Sequence, residues 1–235
     1  MKMIPLAVLV AALAANGVLA ADAAPAPVAK SRAAKAERAP RAPAAVPTSA
    51  AELPAGQVAY QVLLAEIALR RGYGDLALSV YAELALRSRD PQVLARAIEV
   101  AGFARRMDLA HELAQLWVET EPESVAARQT LVGVLIVLNR LDDLVPHLSK
   151  LLEQDKDNLG DNLSRLNRML VRQPDKSAVL RLVQRVTQPY QGVAEAHFAV
   201  AQAALAAGDR PLAQESVRRA QELRPEWEMP VLLEA

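Results

Sequence analysis

The chain has no cysteine. That single absence excludes disulfides, thiolate metal sites, cysteine nucleophiles and lipid attachment through an N-terminal cysteine. It is compatible with an oxidising compartment without requiring one. Aromatic residues make up only 3% of the 235 residues, so any core has to be built from small and aliphatic side chains. Neither sign of charge prevails, with 27 basic and 27 acidic residues, and no overall basic field points to nucleic acid. Histidine is equally sparse. His111, His147 and His197 lie in different parts of the chain, and no two are four apart, the spacing that puts two ligands on one helix face. They read as isolated histidines and not as a metal site.

Other motifs that carry chemistry are also missing. Asp155, Asp157, Gly160 and Asp161 faintly resemble a calcium loop, but Leu159 occupies a ligand position and Leu166 stands where a closing Glu is needed. Gly72-Tyr73-Gly74 has no phosphate-loop continuation and reads as a turn. No nucleophile elbow surrounds any serine. The expectation is a non-enzyme with no cofactor and no metal.

What is present is alanine, leucine and valine, within a hydrophobic fraction of 52%. Alanine and leucine are strong helix formers, and strand-forming runs are scarce. The first 20 residues read as a signal peptide: Lys2, an apolar run from Met3 to Ala15, a break at Asn16-Gly17, and small residues at Val18 and Ala20 placing a cut after Ala20. The alternative is an inner-membrane anchor through residues 3–21, for which the apolar run is short, since a span takes about 20 residues. Residues 21–52 are rich in Ala and Pro, with Lys30, Arg32, Lys35, Arg38 and Arg41 interspersed. Such a stretch cannot bury an apolar face and is expected to be a disordered basic linker. The first 50 residues hold six basic and two acidic groups. The remaining chain therefore holds 21 basic and 25 acidic groups, a net charge near −4.

From residue 53 to residue 235 a helix-turn-helix pattern recurs. Aligning Ala77, Ala110, Leu144 and Ala213 places units near 58–90, 91–124, 125–158 and 194–226, with a divergent unit at 159–193 and a partial one at 227–235. Asp90-Pro91 is an N-cap followed by proline at the first helical position. Asp75 and Asp108 are expected N-caps, and Pro174-Asp175 opens a further helix. Pro146 falls within the first turns of its helix, where a missing N–H costs little. The unit at 194–226 has Ala201, Gly208, Ala213, Ala220 and Pro225 at the points where helix backbones approach, turn and close. Ala101, Ala110 and Pro122 do the same in the second unit, and Ala65, Gly72, Ala77 and Tyr81 in the first. This pattern resembles the tetratricopeptide repeat (TPR), departing from it at His197, Trp117 and Leu144. The expected fold is all-α, an α-solenoid of about five TPR-like hairpins.

The resemblance implies an inner groove lined by first helices, in which a segment of another protein lies. The family's groove positions fall on Val62, Glu66 and Leu69, then Arg96, Glu99 and Phe103, then Gln129 and Ile136, and last Phe198 and Gln202. Only Arg96 suits a carboxylate, whereas Glu66 and Glu99 repel one, so the groove is expected to favour an apolar or basic extended segment. The segments Leu63 to Gly72, Ser88 to Pro91 and Ala95 to Ile98 resemble envelope TPR proteins of Gram-negative bacteria. That group includes the lipoprotein adaptor that links a periplasmic carboxyl-terminal processing protease to cell-wall hydrolases, although its lipid-bearing cysteine is absent here. The implied role is a periplasmic scaffold or adaptor whose partners are a protease and its substrates. The alternative is a TPR component of a polysaccharide or pilus assembly machine. The last repeat is expected to keep an apolar edge open to self-association, unless Trp227 folds back to cap it.

Overall fold

A computed structural model describes residues 54–227 of the chain. The expected signal peptide at 1–20, the expected linker at 21–52 and nearly all of the partial unit at 227–235 lie outside the described residues. Among the described residues ten α-helices form five hairpins: α1 Ala55–Arg70 and α2 Gly74–Ser88, α3 Pro91–Phe103 and α4 Met107–Thr120, α5 Val125–Val137 and α6 Leu141–Gln154, α7 Leu159–Leu170 and α8 Lys176–Thr187, α9 Ala194–Ala207 and α10 Arg210–Leu223. Single 3₁₀ turns follow α6 and α8, and no strand is present among the described residues. The architecture is an all-helical, TPR-like α-solenoid.

The first three hairpins stack as a line in which each helix packs on the next in sequence. A helical hairpin cannot bury its apolar face alone, so stacking supplies the core. Ala65, Ala77, Ala97, Ala101, Ala110 and Ala114 are fully buried between helices, where larger residues would hold the backbones apart. Tyr81, Leu84, Leu94, Leu113, Leu131 and Leu144 fill the layers between them. Burying each such side chain contributes about 1.5–3 kcal/mol. Leu144, aligned with Ala77 and Ala110, is also wholly buried. Its larger side chain is accommodated inside the third hairpin.

One turn geometry repeats. Gly72, Arg105, Asn139 and Gly208 all have positive φ, between 56° and 82°. In each case the next N–H donates to the carbonyl five residues back at 2.9 Å: Tyr73 to Ala68, Arg106 to Ala101, Arg140 to Leu135 and Asp209 to Ala204. This is a Schellman closure, which satisfies orphaned carbonyls and turns the chain into the second helix. At the opposite ends, Asp90 accepts from the N–H groups of Gln92 and Val93 at 2.8 and 3.1 Å, with Pro91 at the first helical position. Ser124, Asp175 and Asp209 cap α5, α8 and α10 in the same way. Asp75 and Asp108 are not caps. They lie inside the first turns of α2 and α4, whose flanking residues are Tyr73 and Arg106, and they act there on the positive end of the helix dipole. Pro146 is the sixth residue of α6, beyond the N–H groups that lack partners at a helix start, so it forfeits one helical hydrogen bond.

The fourth hairpin departs from the line. α6 packs on α8 and α8 on α9, whereas α7 packs mainly on α9 and touches α8 only thinly. α7 runs beside α9: Asn167 Nδ2 donates to the Ala199 carbonyl at 2.7 Å and to Gln202 Oε1 at 3.2 Å. A side chain at Gly160 would meet Glu195 Oε1 at 2.9 Å, so glycine permits that approach. The turn between α7 and α8 uses Gln173, which is buried and donates to the Ile136 carbonyl at 2.9 Å.

Candidate protein-binding groove

The first two hairpins meet at a polar knot on the first-helix side. Arg96 Nε donates to Glu66 Oε1 at 2.8 Å, its Nη2 to Glu66 Oε2 at 3.2 Å, and its Nη1 to Glu99 Oε2 at 2.8 Å. The Tyr81 hydroxyl, reaching in from α2, donates to the same Glu66 Oε1 at 2.6 Å. The hydrogen bond from Arg96 and then that from Tyr81 hold the Glu66 carboxyl below the usual carboxylate range. Burial, and then the hydrogen bond to Glu66, push the Tyr81 hydroxyl up to about 12. Hydrogen bonds to Glu66 and Glu99 raise the Arg96 guanidinium further still. Arg96 therefore has its donors committed to two carboxylates, and holding a ligand carboxylate would mean breaking that knot. The outer edge of the knot is acidic, since the Glu99 side chain is half exposed.

The other predicted groove residues divide into two sets. Phe103, in the last turn of α3, is 64% exposed, and Val62, Leu69, Gln129 and Gln202 are half-buried. Gln202 accepts from Asn167. Ile136 and Phe198, by contrast, are buried and present no surface to a ligand, which corrects their placement in the groove. Phe198 carries Trp227 on its edge, with ring centroids 5.0 Å apart. Arg224 lies over the Trp227 ring, 5.2 Å from its centroid, and pairs with Glu195 at 2.7 Å. Val137, 34 residues after Phe103 and likewise in the last turn of a first helix, is exposed. It was absent from the sequence-derived set, although its alignment with Phe103 was available there.

Tertiary structure also assembles a second site that no spacing rule revealed. His111 and His147, from adjacent repeats, share a shallow cleft with Arg140, Asp142 and Asp143. Arg140 Nη1 lies 3.2 and 3.5 Å from the two ring nitrogens of His111, an approach to the ring face, while its Nε donates to Asp143 at 2.7 Å. Behind His147 lies Arg128, 9% exposed. It donates to the Pro122 carbonyl and approaches His147 Nδ1 at 3.4 Å. Its Nε has no partner among the described residues. Burial first, and then Arg140 and Arg128 respectively, lower the pKa of His111 and His147. No group of three or more His, Asp or Glu among the described residues could hold a metal ion. Asp155, the first residue of the calcium-loop-like stretch, accepts instead from Asn158 and Asn162.

No protein-family model matches the chain. It is 30% identical over 105 residues to the TPR repeat-containing protein PA4667 of Pseudomonas aeruginosa, an alignment covering 45% of this chain. The chain spans only 18% of that relative's length. Among solved structures, it is similar to YrrB, a TPR protein with an unusual peptide-binding site, at 16% identity and a TM-score of 0.40, covering 74% of this chain and 90% of that one. It is also similar to MamA 41-end from Desulfovibrio magneticus RS-1, at 15% identity and a TM-score of 0.43, covering 73% and 97%.

Proposed function

We propose that the protein is a non-catalytic periplasmic adaptor that binds an extended, apolar or basic segment of another protein along its first helices. The observation that carries this reading is the pairing of exposed apolar side chains with cancelled positive charge. Phe103 stands 64% exposed at a groove position, while the groove's Arg96 is already bound by Glu66 and Glu99. Such a surface gains by desolvating apolar anchors and repels a free carboxylate at its acidic rim. The resemblance of Leu63 to Gly72 and its neighbouring segments to envelope TPR adaptors supports a periplasmic protease and its substrates as partners. The signal-like residues 1–20 support export with cleavage after Ala20.

Two measurements test the reading. Intact mass of the exported form is expected to show a chain beginning at Ala21, and retention of Met1 in a membrane fraction would refute cleavage after Ala20 in favour of a membrane anchor. Fluorescence anisotropy with two peptide sets, one basic and apolar and one acidic at a free C-terminus, tests the groove. The basic apolar set is expected to bind at least tenfold more tightly, and Phe103→Ser with Val137→Ser to abolish that binding without lowering Tm. Equal binding of both sets, or binding indifferent to the double variant, refutes it.

A further inference from the structure

The two ends of the solenoid are unlike, and the difference can be read position by position. In α3, Val93, Ala97 and Val100 are buried on a helix packed against α2. Their counterparts in α5, Ala127, Leu131 and Val134, are buried in the same way. The equivalent residues of α1 are Tyr60, Leu64 and Ile67, which are 65%, 38% and 41% exposed, with Leu63 beside them at 60%. α1 thus carries the apolar face that α3 and α5 hide under a preceding second helix, and no helix among the described residues precedes α1 to cover it. An apolar stripe on a helix is ordinarily buried against another element.

The far end is different. Gln214, Arg218 and Gln221 of α10 stand where α2 has Leu78, Ala82 and Ala85. The outer surface of α10 is laced by ion pairs of Arg218 with Glu215 and of Arg219 with Glu222. This polar face corrects the expectation of an apolar C-terminal edge in the last repeat. The described face of α10 does not match the apolar stripe of α1, which argues against a head-to-tail stack in which one copy's α10 covers the next copy's α1.

We infer that the face of α1 is a self-association surface that pairs with α1 of a second copy, antiparallel about a two-fold axis. A two-fold contact has to be complementary to itself, and this stripe is. With the axis near Leu63 and Leu64, Tyr60 lies against the partner's Ile67, and the leucines meet across the centre. Antiparallel packing also sets Arg70 and Arg71 beside the partner's first turn, Ala55 to Gln57, which carries no charged side chain. Parallel packing would set these arginines against each other. With residues 1–20 removed as proposed above, on which this step rests, the chain's own preceding segment is a poorer occupant, because Val28, Val46 and Leu53 are the only large apolar residues between Ala21 and Leu53. One helix face is smaller than the roughly 800 Å² per partner of a standard interface, so the dimer is reversible, with Kd in the range of about 1–100 μM.

The test is sedimentation equilibrium of residues 21–235, which include every described helix, over about 1–200 μM, a range that brackets the expected Kd. A monomer–dimer equilibrium is expected, and Leu63→Lys, at an exposed position, is expected to weaken it at least tenfold. Because the chain has no cysteine, Leu63→Cys should form an intermolecular disulfide under mild oxidation, while Leu205→Cys, exposed on α9, should not. If Leu63→Lys disturbs folding, the cysteine pair decides. A monomer at every concentration, a dimer indifferent to Leu63→Lys, or equal cross-linking at position 205 overturns the inference.

Discussion

Gly72, Arg105, Asn139 and Gly208 perform one task with three residue types. The left-handed backbone costs an ordinary L-residue about 1–2 kcal/mol, glycine almost nothing, and asparagine an intermediate amount. Gly208→Ala should therefore lower stability by about 1 kcal/mol, and Asn139→Gly should raise it by several tenths; urea unfolding at equal m-values measures both. The Glu66 knot yields a second residue-scale expectation. Tyr81→Phe removes a hydroxyl that donates to a carboxylate at 2.6 Å and should cost about 1.5 kcal/mol. The Glu66 carboxyl is held below its ordinary range, so its contribution is present in full above about pH 4.3 and is lost as pH falls through the lowered folded value. The difference in stability between wild type and Glu66→Gln should accordingly shrink in acid, and a constant difference from pH 7 to pH 3 would show that the carboxylate does not stabilise the fold.

Among elements, the spacing of helices rests on alanine. Ala77 and Ala110 are fully buried where second helices meet their neighbours, and replacing either with leucine should cost about 1–3 kcal/mol through overpacking. The third hairpin already has Leu144 at that point, wholly buried, so Leu144→Ala should instead leave a void and cost about 2–5 kcal/mol. Opposite responses to volume at aligned positions would establish that each hairpin has its own packing distance. An unchanged Tm for both alanine-to-leucine variants would show that the helices can part without penalty. α7 stands outside this pattern: it buries Leu163, Leu166 and Leu170 while packing mainly on α9, and Asn167 adds a hydrogen bond to the Ala199 carbonyl there.

At the scale of the molecule, the cleft between the second and third hairpins should make stability depend on pH. His111 and His147 have lowered pKa values, because burial and the adjacent Arg140 and Arg128 disfavour the imidazolium. A lowered histidine pKa leaves stability untouched above the unfolded value of about 6.5 and erodes it as pH falls from there through the folded value, where the loss levels off. Tm should therefore drop between pH 7.5 and pH 5 in wild type, and drop less in His147→Gln, which can still accept from Arg128. An identical slope in both proteins would assign the pH dependence to other groups. The two ends of the solenoid are the other whole-molecule feature, one apolar at α1 and one polar at α10.

The all-helical class and the hairpin repeat could be read from the sequence because they rest on local, periodic requirements. Alanines return where backbones approach, Asp90 and Asp175 cap helices with their own side chains, and Pro91, Val125 and Ala194 are the first residues of α3, α5 and α9. Each is a short-range relation that a linear chain displays directly. Other features depend on distances the chain does not display. Ile136 and Phe198 occupy positions the family gives to the groove, yet both are buried, Phe198 beneath Trp227 from nearly 30 residues on. Arg105 and Asn139 adopt a glycine geometry that their side chains do not announce, because the Schellman hydrogen bonds of the hairpin offset the strain. His111 and His147 are too far apart in sequence for any motif, and only the stacking of repeats brings them into one cleft. The place of α7, the committed state of Arg96 and the face of α1 left exposed among the described residues have the same origin. They are decided by which surfaces are left after packing, a non-local outcome that local propensity does not encode.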